Sequence, residues 1–233
     1  KTVIVGSNGR GTAYGILQFA KAGLPRNKVK GLTEIPSVEY RGLSLEGTAK
    51  PDYHRLFEEL LRRRVNFLCE GWDSGDVPDH FVHSLRQVAD SFGILLATPH
   101  GSHGLRLQGM KKSLTVNIGW DDDNYGYVAP VGDGDDDGAV YHLAYAGRPH
   151  SYLWLCTTQP GLIANELQTA YRKGADRLWM AVVYNPDVAA YQFDLMMDLA
   201  WNIKSVDTSN TRQHLRDWLT RQFGAKTAAA LVE

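Results

Sequence analysis

The chain has 233 residues, 43% of them hydrophobic and 22% charged, which is enough to bury one core, or one core with a small appended unit. Lys plus Arg number 25 against 26 Asp plus Glu, so no positive excess exists to neutralise a phosphate backbone, and no nucleic-acid partner is expected. No run of 18 apolar residues spans a bilayer and the N-terminus lacks the regions of a signal peptide, so a soluble chain with no membrane association is expected.

Taken in chain order, periodicity gives strands alternating with amphipathic helices, the pattern of parallel sheets and barrels rather than sandwiches. Thr2 to Val5 reads as a short β-branched strand that runs through Gly6-Ser7-Asn8-Gly9-Arg10-Gly11 into a helix from about Thr12 to Ala22, closed by Gly23. A loop with Pro25 and Pro36 follows, and Val38 to Leu45 reads as the next strand. Pro51 and Asp52 open a helix whose Tyr53, Leu56, Phe57, Leu60 and Leu61 share one face and require a sheet beneath them. Asn66 to Glu70 is strand-like, and Pro78 opens a helix with Phe81, Leu85, Val88, Ala89 and Phe92 inward, ended by Gly93. Further strands are Ile94 to Thr98, Leu114 to Trp120, Ala139 to Tyr145 and Arg177 to Tyr184, with a helix from about Gly161 to Lys173 before the last. Helices from about Tyr191 to Asn202 and Thr211 to Phe223 complete the chain, and no internal repeat is visible.

In such folds the βα loops converge over the C-terminal strand ends, and four of those ends carry polar groups: Glu46, Glu70, His100 and the trio Asp121, Asp122, Asp123. Two carboxylates across a pocket are what glycoside hydrolysis needs, one as acid and one as nucleophile or base, although a strand leaving the core also ends in polar residues for no catalytic reason. His100 and His103 share one loop but have no third ligand at a definable spacing, so substrate contact is preferred to a metal. Asp133 to Gly138 resembles the start of a calcium loop, but its twelfth position is Ala144, so it reads as a solvated acidic loop. The glycine loop Gly6 to Gly11 is spaced G-x-x-G-x-G and lacks a ribose-binding acid, which weakens a nucleotide reading. Tyr141, Tyr145, Tyr152 and Trp154 suit a sugar-stacking platform and a buried core equally. Cys69 and Cys156 have no nearby partner at metal or disulfide spacing and read as buried thiols, and neither metal nor cofactor is expected. The opening on Lys1 suggests a processed protein or a fragment.

Several stretches, in conserved order, resemble the glycoside hydrolase family 115 α-glucuronidases. Gly6 to Ile16 is similar to the helix start of that family's N-terminal accessory domain, which displaces the nucleotide reading, and Pro36 to Gly42 to the approach into its barrel. Ala89 to His100 resembles its A-D-x-x-G-I-x-x-G-T-S-H segment, and Asp122-Asp123-Asn124-Tyr125-Gly126 its D-D-N-[WY]-G. Val140 to Trp154 is similar to Y-Y-H-x-x-Y-x-G-x-P-x-S-Y-x-W, Gly174 to Trp179 to G-A-D-R-I-W, and Asp198 to Asn202 to D-x-A-W-N.

The resemblance implies an α/β fold, an incomplete (β/α)8 TIM-like barrel that removes glucuronic acid from xylan side chains by inversion, with activity impaired by the missing motifs; the alternative is a non-catalytic carbohydrate-binding or degenerate fragment of such an enzyme. It implies residues 1–36 as the end of the accessory domain, 37–204 as the shortened barrel and 205–233 as a C-terminal helical segment. Catalytic roles fall on Asp122, Asp123 and Glu70, with His100, Asn124, Glu46, Tyr141, Arg148 and Trp154 lining the uronic acid pocket. A secreted or periplasmic location and a polysaccharide or oligosaccharide substrate, glucuronoxylan, follow from the same resemblance. Between His103 and Leu114 the chain has a short linker where the family carries further strands, a G-M-R-G-D-x-D-type motif and the Y-K-E glutamate taken to be the acid. The family's N-D-E is here Glu46-Gly47-Thr48, and its N-V-G-D-x-K-P is Val182 to Val188 with Tyr184 and Asn185 inside it. An incomplete barrel is expected to leave open strand edges, which suggests pairing between chains as a homo-oligomer.

Overall fold

The structure is a computed structural model that describes residues 3–21, 32–45, 51–69, 79–131, 137–144 and 155–232. Its strands are β1 (Tyr40–Leu45), β2 (Phe67–Cys69), β3 (Leu95–His100), β4 (Gly104–Gln108), β5 (Ser113–Asp122), β6 (Val128–Pro130), β7 (Gly138–His142) and β8 (Leu178–Val183). Its helices are α1 (Gly9–Lys21), α2 (Tyr53–Arg62), α3 (Asp79–Ser91), α4 (Pro160–Arg172), α5 (Ala190–Trp201), α6 (Thr211–Phe223) and α7 (Ala225–Val232).

Strands β7, β8, β1, β2 and β3 pair in parallel in that order, and β5 joins β7 in parallel on the far side. Strand β4 runs antiparallel between β3 and β5 and pairs with both, so the ring closes with seven strands, six of them parallel. The stretch that reads as a bare linker is therefore a closing strand: His100 pairs with Gly104 across a tight hairpin, and Gly104 pairs in turn with Asn117. Closure removes from the ring the open edges that motivated the expected pairing between chains. Strand β5 is long enough to be used twice. Its first half pairs with β4, and its second half hairpins onto β6 through Trp120, Asp121 and Asp122.

Alternation along the strands builds two cores. Tyr40, Phe67, Ala97, Leu105, Leu107, Val116, Val140 and Met180 fill the barrel interior, while Leu43, Leu68, Leu96, Tyr141, Trp179 and Ala181 face outward under the helices. Gly42 lies inside because Phe67 occupies its space: a Cβ there would sit 2.0 Å from the ring. The helix faces read from periodicity meet the outer core, with Leu56, Phe57 and Leu60 of α2 and Ile163 and Leu167 of α4 buried against it. Asp52 caps α2 by accepting from the Arg55 amide at 3.2 Å.

The N-terminal segment departs from its reading. Residues 3–6 form no strand, and Val3 and Val5 stand 71% and 85% exposed, because β propensity without a neighbouring ladder holds nothing in place. The glycine loop closes on its own helix: Asn8 Oδ1 accepts from the Gly11 amide at 2.8 Å, and the Gly6 amide donates to Thr12 Oγ1 at 3.2 Å. No described helix is long and apolar enough to cross a membrane. Cys69 is buried as read, whereas Cys156 is only half-buried.

The motifs G-A-D-R-L-W and D-L-A-W-N serve this scaffold. Trp179 is fully buried and donates its Nε1 to the Ala175 carbonyl at 2.7 Å. Trp201 lies beneath the guanidinium groups of Arg41 and Arg64, 5.2 and 4.9 Å from its ring centre. Asp198 pairs with Arg64 and, at 3.1 Å, with His214 Nε2, tying the turn after α2, and α6, to α5. A cavity of about 280 Å³ lies among Arg64, Asp198, Trp201 and His214, at the end of the barrel opposite the C-terminal strand ends. Arg41, 2% exposed, donates to the carbonyls of Val38, Glu39 and Arg64, and burial lowers its pKa to about 10.

Candidate active site

The C-terminal ends of β3, β5 and β7 bring His100, Asp121, Asp122 and His142 to one mouth of the barrel. What orients the two aspartates is an irregularity in β5. Ile118 faces the barrel interior, but the register shifts between Ile118 and Trp120, so Trp120 packs into the outer core. Alternation then sends Asp121 to the inner side of the pleat and Asp122 to the outer.

Asp122 is the most enclosed carboxylate of the mouth, with 0% of its side chain exposed. Its Oδ1 accepts from the His142 amide at 2.6 Å and from His142 Nδ1 at 2.8 Å, and its Oδ2 accepts from the Asn124 amide at 3.0 Å. Three donors on one buried carboxylate neutralise much of the desolvation cost of its charge. The bond to Nδ1 selects which imidazole nitrogen carries the proton and fixes the ring plane.

Asp121 is more open, with 37% of its side chain exposed, and lies 3.6 Å from His142 Nδ1. Its Oδ1 accepts from the Asp122 amide at 2.8 Å. Desolvation pushes its carboxyl above the ordinary carboxylate range, opposed by the neighbouring His142 and reinforced by Asp122. Asp123 is exposed, and one oxygen organises the turn that follows, accepting from the amides of Tyr125 at 2.9 Å and Tyr127 at 3.1 Å. That turn places Asn124 at φ 63° and Gly126 at φ 95°. Glycine is required at the second position, since a Cβ on Gly126 would meet Thr158 at 2.7 Å and the Tyr141 hydroxyl at 2.8 Å.

Tyr141 is fully buried on the outer side and donates its hydroxyl to the Gly126 carbonyl at 2.9 Å. Burial, with Asp122 next in weight, raises its phenol well above the usual range and keeps it a neutral donor. Glu166 of α4 adds a second tie by accepting from the Val128 amide at 3.0 Å. His100 follows the outward alternation of Leu96 and Thr98; it is exposed, with Nδ1 3.0 Å from Arg106 Nη2. Its ring is thus held against β4, through Arg106. Glu46, Glu70, Arg148 and Trp154 lie outside the described residues, as do Tyr145, Tyr152 and most of the acidic stretch from Asp133 to Gly138.

The sequence motifs assign no role to two residues of the cluster, Asp121 and His142. The stretch Val140-Tyr141-His142 contained the signal for His142; the choice between Asp121 and Asp122 depends on the β5 irregularity, which has no sequence marker. Asp121, Asp122 and His142 each place a ligand atom within 4.8 Å of the others, so this trio could also hold a metal ion.

The family model of glycosyl hydrolase family 115 matches residues 102–233, more than half of the chain. Twelve chains of solved structures match as well. One of them, a family GH115 4-O-methyl-α-glucuronidase with specificity for decorated arabinogalactans, superposes with a TM-score of 0.73 at 23% identity, over 97% of this chain and 49% of that one. The present chain thus spans about half the length of that protein, with a similar barrel. No curated protein shows a match.

Proposed function

The chain belongs to glycosyl hydrolase family 115, and from that premise we propose that it acts on the glucuronic acid side chains of a polysaccharide at the C-terminal mouth of its barrel. The reaction proposed is hydrolysis of the α-glucuronidase type with inversion, on glucuronoxylan or on a decorated arabinogalactan of the kind that its structural neighbour acts on. The observation that carries this reading is the enclosed Asp122 gripping His142 beside the half-open Asp121. A carboxyl kept above its usual range and reachable from solvent is suited to protonating a leaving oxygen, and Asp121 takes that role here. Asp122 contributes by holding His142 in place, while Asp123 and Glu70 are the carboxylates proposed to activate water. His100, Asn124, Glu46, Tyr141, Arg148 and Trp154 are proposed to shape the uronate pocket, Tyr141 through the turn it fastens.

A second reading, carbohydrate binding without turnover, is favoured by strand β4. The segment that closes the ring, Gly104 to Ser113, contains no glutamate to stand for the family's acid.

Proton NMR of glucuronoxylan and of decorated arabinogalactan incubated with the protein separates the two readings. The enzyme reading expects free glucuronic acid to appear first as the β-anomer; saturable binding without product supports the second reading. An absence of both product and binding overturns both.

A further inference from the structure

Among the described residues the exposed large aromatics are Tyr125, Tyr127, Tyr184 and Phe223, at 54%, 58%, 37% and 58%. Three of the four are tyrosines, and all three follow the C-terminal end of a parallel barrel strand, Tyr125 and Tyr127 after β5 and Tyr184 directly after β8. An exposed phenol ring offers an apolar face with a polar edge, so three at one mouth give the solvent side of the barrel a sizeable aromatic area.

Their support is rigid rather than loose. Tyr125 and Tyr127 sit two residues apart on the turn that Asp123 Oδ1, the Tyr141 hydroxyl and Asp122 Oδ2 hold through the amides and carbonyl of its backbone. The turn tolerates a left-handed Asn124 to keep this shape. Phenol rings with a polar edge are suited to the C–H faces of sugar rings, and two of the three are carried on a backbone held in one shape.

We propose that Tyr125, Tyr127 and Tyr184 form an aromatic rim that stacks on the neutral main-chain sugars of the polysaccharide, on either side of the uronic acid held at Asp121 and His142. This rests on the reading of the mouth as the uronate site and adds what selects the chain around it. The rim recognises the backbone and not the acid, so it separates long ligands from short ones.

The experiment is calorimetric titration of the wild-type chain and of Tyr125→Ala, Tyr127→Ala and Tyr184→Ala. The ligands are glucuronic acid, a glucuronic-acid-bearing xylo-oligosaccharide, the same oligosaccharide without the acid, and a decorated arabinogalactan fragment. Each alanine variant is expected to lose about 3- to 10-fold in affinity for the oligosaccharides, with monosaccharide affinity unchanged. Tyr→Phe at each position is expected to retain affinity, because stacking and not the hydroxyl carries the contact. Unchanged oligosaccharide affinity in all three alanine variants, or an equal loss for the monosaccharide, overturns the rim. Rim-dependent binding of the undecorated oligosaccharide, with no gain from the acid, sustains the rim and overturns the uronate reading. Failure of every ligand to bind overturns both.

Discussion

Replacing Asp122 with Asn tests the keystone of the mouth. The amide is isosteric, but it has one acceptor oxygen where the carboxylate has two, and three donors point at the site. The better orientation keeps the oxygen toward the amide and Nδ1 of His142 and turns the NH2 toward the Asn124 amide, so two donors confront each other. One buried donor left unpaired costs about 1–3 kcal/mol, and weakening two charge-assisted bonds to neutral ones costs about 1 kcal/mol each, with less than full additivity. The total is about 2–4 kcal/mol. With an m-value of about 4 kcal/mol/M in guanidinium chloride, the unfolding midpoint should fall by about 0.5–1 M at unchanged m. Asp123→Asn is the control: one oxygen of Asp123 accepts from both the Tyr125 and the Tyr127 amides, an amide oxygen can do the same, and the expected loss is under about 1 kcal/mol. Equal midpoints for the two variants would refute the account of Asp122 as a buried three-donor acceptor.

Asp121→Asn should move stability in a pH-dependent way. Because folding raises the Asp121 pKa, the ionised side chain destabilises the native state above that value, and the penalty disappears as the pH falls through it toward the unfolded value. The variant should therefore match or exceed wild type in melting temperature at neutral pH and lose that advantage in acid; a constant difference across the range contradicts the desolvation argument. Asp198→Ala should cost about 3–5 kcal/mol in chemical unfolding, since it strands the enclosed Arg64, whereas Arg177→Ala, which breaks an exposed pair with Asp137, should cost about 0–1 kcal/mol. Gly42→Ala should cost about 1–3 kcal/mol by driving a methyl into Phe67 inside the barrel, read as a lower thermal midpoint.

Periodicity located the parallel strands and the helices that cover them because each buries a face, and burial leaves a pattern. Strand β4 escaped that reading: Gly104-Leu105-Arg106-Leu107-Gln108 alternates, but five residues beside a glycine and two histidines resemble a loop until β3 and β5 are there to pair with it. Within the expected strand Thr2 to Val5, the described residues Val3 to Val5 show the reverse, β propensity with no strand formed. Within the site, the motif Asp122-Asp123-Asn124 marked the right turn but not the division of labour. Which carboxylate is buried and which is open depends on one register shift next to Trp120, set by how β5 meets β7. Tyr141 read ambiguously as platform or core, and alternation placed it outward beneath α4, with its hydroxyl used on the turn.

The most direct test of the uronate-processing mouth is release of glucuronic acid from a decorated xylo-oligosaccharide by wild type and by Asp121→Asn, each held at saturating substrate with affinity measured in parallel. The account predicts product from wild type and a fall of about 10²–10⁴-fold in the variant, with binding within about threefold. Equal rates from the two proteins, or a folded wild type that neither binds nor cleaves, would contradict it.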